Sequence, residues 1–233
     1  MSGIKTPIEE RIEYNNYKLI ADKIRKTLTN IKNVPGISSK RWIWELIQNS
    51  KDVKNKFGKV KIKIELNKNS LKFSHNGSFF SIDDVLGILQ QVSSKDSKNL
   101  EDQTGKFGTG FIGTHLLSDK ISIIGYVKYQ DIYKKFKINL DRSANSSEEL
   151  LKEVRNSIED FKRNMSKENS EYKTYSSYNQ REEDFDTIFE YELKKENISI
   201  ATEGLEDLVN TAPITLATQF KKISSILIIN NIK

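Results

Sequence analysis

The sequence predicts an α+β domain, and three observations carry that expectation. Segments of alternating polarity come in pairs joined by short polar turns. Longer segments repeat apolar residues at helical spacing, and the two kinds of element are interleaved along the chain. The 233 residues are 36% hydrophobic and 30% charged, a balance that suits one domain with a real core and a charged surface. No apolar run approaches the roughly 20 residues that span a bilayer, so the reading excludes a membrane partner. With no cysteine, disulfides and thiolate metal sites are excluded, which fits a reducing compartment, read here as the cytoplasm. The net charge of +6 permits an anionic partner such as DNA. Its lysines are spread along the chain, however, which describes a solvated surface better than a binding patch.

Taken in order, Thr6-Pro7-Ile8-Glu9 is a capping box with proline at the first helical position. Ile12, Ile20, Ile24 and Leu28 continue one face of a long helix that Val34-Pro35-Gly36 ends. Ser38 or Ser39 can cap a second helix from Lys40 to about Val53. In it Glu45, Asn49 and Asp52 fall on one stripe, while Trp42, Ile43, Leu46, Ile47 and Val53 occupy most of the remaining girth. A helix so largely apolar is buried. Its polar stripe therefore faces a cavity or partner, or else simply meets water.

Val60 to Leu66 alternates as a strand, Asn67-Lys68-Asn69 turns the chain, and Leu71 and Phe73 continue into the polar turn His75-Asn76-Gly77. Ser81 caps a short helix holding Val85, Leu86, Ile88 and Leu89. Gln91 to Gln103 is polar, built like a mobile lid or an ordinary surface loop. Ile121 to Val127 and Ile132 to Leu140 form a hairpin around Tyr129-Gln130-Asp131. Ser147 to Arg163 is an amphipathic helix, and Asn164 to Asp184 reads as irregular. Thr187, Phe189, Tyr191 and Leu193 alternate as a strand. Thr202 caps a helix through Val209, Pro213 begins another, and Ser225 to Asn230 is a last apolar strand, three residues from the end. That abrupt end reads as the N-terminal fragment of something longer.

The stretch that asks for a ligand is Thr104 to Leu117, T-G-K-F-G-T-G-F-I-G-T-H-L-L. Gly105, Gly108 and Gly110 let backbone N–H groups approach an anion with no side chain intervening, and a helix beginning near Phe111 would add its N-terminal partial charge. The pattern also serves a tight turn before a closely packed helix.

Together, E-L-I-Q-N-S-K-D (Glu45 to Asp52), H-N-G (His75 to Gly77) and G-K-F-G-T-G-F (Gly105 to Phe111) resemble the ATP-binding domain of the GHKL superfamily, also called the Bergerat fold. The third motif with Leu116-Leu117-Ser118-Asp119 is most similar to its heat-shock-chaperone and sacsin-like branches. The resemblance covers Lys40 to about Val127, and Phe185 to Asn230 more loosely. It implies a two-layer α/β sandwich, a mixed, mostly antiparallel sheet with helices on one face. It also implies a single domain over 1–233 with an insertion at 141–184, and ATP and Mg²⁺ as cofactors.

By the same resemblance Glu45 is the general base and Asn49 the Mg²⁺ ligand, with Asp52 near the nucleotide. Asn76 and Gly77 line the adenine. Gly105, Lys106, Phe107, Gly108, Thr109, Gly110 and Phe111 supply the phosphate cradle. Lys95 is a lid lysine, and Thr187 supports the adenine-binding residue. The family's adenine-binding aspartate is here His75, whose neutral ring can accept the amino hydrogen in the right tautomer; Asp83 or Asp84 is the alternative. The implied activity is slow ATP hydrolysis. Lid closure would gate homodimerisation of a larger protein acting on DNA or protein, in antiviral defence or repair. A chaperone-like ATPase and a module that binds without turnover are the alternatives.

Overall fold

The computed structural model describes residues 6–33, 39–53, 55–91, 110–166, 172–218 and 222–232. Helix α1 (Pro7–Asn33) begins with the expected capping box. The Thr6 backbone N–H donates to the Glu9 carboxylate at 2.8 Å, and the Glu9 N–H returns a bond to the Thr6 hydroxyl at 3.3 Å. Its buried stripe is Tyr17, Ala21, Ile24 and Leu28, whereas Ile12 is 55% exposed. The apolar spacing was right, but the first turns of α1 run free of the body.

Helix α2 (Arg41–Asp52) has Lys40 at its N-cap with no side-chain capping bond. The Ser39 hydroxyl, expected as a cap, donates to Glu203 instead, and Ser38 lies outside the described residues. The α2 apolar face, led by Trp42, Ile43, Leu46 and Ile47, is fully buried.

Among the described residues a seven-stranded open sheet forms the second layer. Its strands are β1 (Val60–Asn67), β2 (Ser70–His75), β3 (Lys120–Tyr129), β4 (Ile132–Asp141), β5 (Thr174–Tyr175), β6 (Thr187–Glu192) and β7 (Ile223–Asn230). Their order is β5-β4-β3-β6-β2-β1-β7. Neighbours run antiparallel except β1 and β7, which are parallel. Alternation decides the faces: Val60, Ile62, Ile64 and Leu66 are buried while Lys61, Lys63 and Glu65 are partly exposed. The outer face carries charge pairs, such as Lys63–Glu65 at 3.0 Å. Helices α2, α3 (Ile82–Gln90) and α4 (Ser147–Met165) pack on the apolar face. This is the expected two-layer α+β sandwich.

The stretch 141–184 is woven into that body. Leu150, Leu151, Val154, Ile158 and Phe161 of α4 join the core. Beyond β5, Tyr178 stacks on Tyr126 at 4.4 Å between centroids and meets Phe79 edge-on at 5.6 Å. Its hydroxyl donates to Asp186 at 2.9 Å. These contacts hold the segment leading into β6 against the outer face of the sheet.

Helix α5 (Ile198–Thr218) is one helix rather than two. The Thr202 hydroxyl bonds the Ile198 carbonyl within it at 2.9 Å instead of capping a start. Pro213 lies inside it and takes a donor from the carbonyl of Val209, whose side chain is 58% exposed, on a stretch that water can reach. No helix among the described residues is long and apolar enough to cross a membrane.

Candidate nucleotide-binding site

The stripe on α2 is where polar atoms are buried without partners. Asn49 is only 7% exposed, and its Nδ2 is buried with no hydrogen-bond partner, as is Oδ2 of Asp52. Burial raises the Asp52 carboxyl above its ordinary pKa, with Lys51 and Lys222 opposing. Since most buried polar groups in folded proteins are satisfied, a pair of orphans one turn apart makes this stripe of α2 the candidate ligand surface. Such a site also suits a cation that keeps water and phosphate oxygens as most of its ligands. Among the described residues no cluster of three acids or histidines could hold a metal by itself. The orphaned Nδ2 of Asn49 is a donor and suits an anionic oxygen such as a phosphate's, while the amide oxygen is the atom whose chemistry would suit a hard cation.

Glu45 stands one turn before Asn49 and accepts from Arg41 Nε at 3.0 Å. Its carboxylate lies against the backbone of Gly110. A Cβ at Gly110 would fall 3.2 Å from Glu45 Cδ and far inside contact distance of Oε2. Glu45 thus lies against Gly110, the last glycine of the G-x-x-G-x-G pattern.

The helix expected near Phe111 is present and is of the 3₁₀ kind, Phe111–Leu116. The Thr114 hydroxyl donates to the Phe111 carbonyl at 2.8 Å and Gly113 N–H bonds the Gly110 carbonyl at 2.9 Å, both tightening the turn. The Phe111 side chain is fully buried, with its ring 5.6 Å from Phe189, so only its backbone can meet a ligand. Lys95, Gly105, Lys106, Phe107, Gly108, Thr109 and the lid from 92 onward lie outside the described residues.

At the end of β2, His75 pairs directly across from Thr187 of β6, and both are buried. Sequence reading needed a His75 nitrogen free to accept. The turn decides otherwise: Gly77 N–H donates to His75 Nδ1 at 3.1 Å. Burial pushes the ring's pKa down to about 3, so at neutral pH it carries one proton, and Nδ1 being an acceptor puts it on Nε2. Nε2 is buried and has no partner.

Gly77 sits where the chain cannot accept a side chain. A Cβ there would lie 2.8 Å from His75 Nδ1 and still closer to Val53 Cγ2, which brings the end of α2 against this turn. Asn76, expected at the nucleotide, is committed elsewhere. Its Oδ1 accepts from Lys61 N–H at 2.7 Å and its Nδ2 donates to the Glu182 carbonyl at 2.7 Å. Asp83 is exposed on α3, and Asp84 caps that helix through Ser81; neither shares the burial of His75.

Sequence reasoning missed three supporting residues. Arg41 carried a signal, four residues before Glu45 on one helix face. Asn55 Nδ2 donates to the Asn76 carbonyl at 2.8 Å, and Gln180 Nε2 donates to the Gly77 carbonyl at 3.2 Å. Those two had no local signature, because they meet the turn only through the fold.

Residues 37–172 match the model of the family described as histidine kinase-, DNA gyrase B-, and HSP90-like ATPase. The chain belongs to that family. This ATPase-family domain is accordingly an ATP-binding one, and Glu45 of α2 lies against Gly110 at the end of the chain's glycine-rich stretch. A search of curated proteins returned no match.

Proposed function

We propose that this ATPase-family domain hydrolyses ATP slowly, with Mg²⁺, and that Glu45 holds and orients the attacking water. The observation that carries the reading is the contact of the Glu45 carboxylate with the Gly110 backbone, beside the unpartnered amide of Asn49. Mg²⁺, when bound, would offset phosphate charge, with Asn49 as its protein ligand. Arg41 holds one Glu45 oxygen, leaving the other for a water proton. The backbone N–H groups of Gly105 to Gly110 would receive the phosphate oxygens, and the Gly77 turn the base. Closure of the segment from Gln91 over the nucleotide would gate dimerisation of a larger cytoplasmic protein acting on DNA or protein.

The test is a pair of variants. Glu45→Ala should keep ATP affinity and lose about 10²–10⁴ in turnover, the range for a positioned base. Asn49→Ala should lose the Mg²⁺-dependent part of ATP affinity in calorimetry run with and without the metal. Unchanged phosphate release by Glu45→Ala would refute its role.

A further inference from the structure

The outer face of the sheet is divided electrostatically. Over β1, β2 and the start of β3 every strand lysine has a carboxylate beside it. Lys61 pairs with Glu182 at 3.0 Å, Lys63 with Glu65 at 3.0 Å, Lys72 with Glu190 at 4.0 Å and Lys120 with Asp141 at 3.9 Å. At the other end Lys128, Lys135, Lys137 and Lys173 form no ion pair among the described residues. Strand pairing collects these four. Lys135 and Lys137 are exposed on either side of buried Phe136, so both point outward. In register Lys128 stands opposite Tyr133, Lys135 opposite Tyr126 and Lys137 opposite Ile124, while Tyr133 also faces Tyr175 of β5. Lys173 is exposed just before β5. Lys128 Nζ lies over the Tyr133 ring at 5.6 Å. Acids are few here: Asp131 in the hairpin turn, and Asp186, which attracts Lys135 but accepts from the Tyr178 hydroxyl at 2.9 Å.

We propose that the outer face over β3, β4 and β5 binds single-stranded DNA, its phosphates on Lys128, Lys135, Lys137 and Lys173 and its bases against Tyr133 and Tyr175. Cations gathered without counter-charges repel one another, and a polyanion relieves that repulsion. Lys135 and Lys137 stand about 6.8 Å apart by the rise of a strand, so each can meet a different phosphate of one chain. Tyr133 and Tyr175 are half-buried, leaving part of each ring to receive an unpaired base. A duplex hides its bases and asks for an element that enters a groove, which this sheet face lacks. The function proposed above supplies DNA as the strand; the surface itself does not depend on hydrolysis.

The test is fluorescence anisotropy of the whole chain with a labelled oligothymidylate of about 15 nucleotides, near the largest site size of such platforms. Between about 50 and 200 mM salt, log affinity should fall against log salt with a slope of about −3, as four phosphate contacts require. The double variant Lys135→Ala/Lys137→Ala should bind about tenfold or more weakly, with a slope smaller by about 1.4. Lys63→Ala/Lys72→Ala removes the same charge from the paired end of the face and should stay within about threefold of wild type. Tyr175→Leu should weaken binding about fivefold or more and leave the slope unchanged. Equal weakening by the two double variants, or no binding at about 50 mM salt, overturns the assignment. So does a dA·dT duplex or an oligouridylate that binds about tenfold tighter than the oligothymidylate. Calorimetry with Mg·ATP keeps the two readings apart. ATP bound without DNA overturns this inference alone, and DNA bound without ATP overturns the nucleotide reading alone.

Discussion

Gly110→Ala tests the positioning of Glu45 against the last glycine of the cradle, with ATP affinity measured beside the rate. The added Cβ would come 3.2 Å from Glu45 Cδ and far closer to Oε2. To restore an ordinary carbon–oxygen contact the carboxylate must withdraw by about 1 Å. The far end of a side chain can do this cheaply, so the fold should lose no more than about 1 kcal/mol. The reaction should lose much more, because a displacement of about 1 Å in a positioned group is worth on the order of 10²-fold in rate. Steady-state phosphate release at saturating Mg·ATP gives the rate, calorimetry the affinity, and thermal unfolding the stability. Gly113→Ala is the matched control. Its Cβ would meet Arg41 Nε at 3.7 Å and Glu45 Cγ at 3.9 Å, ordinary contacts that leave the carboxylate where it is. Turnover of Gly110→Ala within about twofold of wild type, or an equal fall in both variants, would refute the placement of Glu45 as the group that works against this backbone.

Two further outcomes test the fold that holds the site. Gly204→Ala would drive a Cβ to 2.6 Å from Trp42 Cε2, and Trp42 is fully buried and tied through Nε1 to the Ile200 carbonyl at 3.1 Å. With no room for the indole to retreat, the variant should lose about 1–3 kcal/mol in urea unfolding; a wild-type midpoint would show that α2 and α5 pack more loosely than described. Burial pushes the pKa of both His75 and His115 down from 6.5 to about 3, Arg142 adding to the effect at His115. The unfolded chain therefore takes up protons below pH 6.5 that the folded one refuses, and stability falls as pH drops, by about 2 kcal/mol per histidine at pH 5. Asp52 and Asp186, raised by burial, oppose this at lower pH. Urea midpoints at pH 7 and pH 5 should differ accordingly, and His115→Gln should remove about half of the difference; a flat profile would contradict the buried neutral state of both rings.

The sandwich was legible because its determinants are local. Period-two alternation in β1 and β3 exposes one face whatever lies against it, and Glu45, Asn49 and Asp52 share a stripe through helical spacing alone. What failed were readings that depend on a neighbour. Ile12 fits the spacing of α1 but is more than half exposed. Ser39 is a good capping residue drawn off by Glu203, and Pro213 is tolerated where the α5 backbone can be reached by water. Asp84 looked available for the base but is consumed by the Ser81 cap.

By itself, then, the sequence determined the α+β class, the polar stripe of α2 and the three motifs of an ATPase family. Tertiary structure alone decided that Glu45 rests on Gly110, that Asn76 serves the fold rather than a ligand, and which nitrogen of His75 bears the proton. The reason is physical. Periodicity is written residue by residue along the chain, whereas the direction of a hydrogen bond depends on which donor folding delivers to each acceptor.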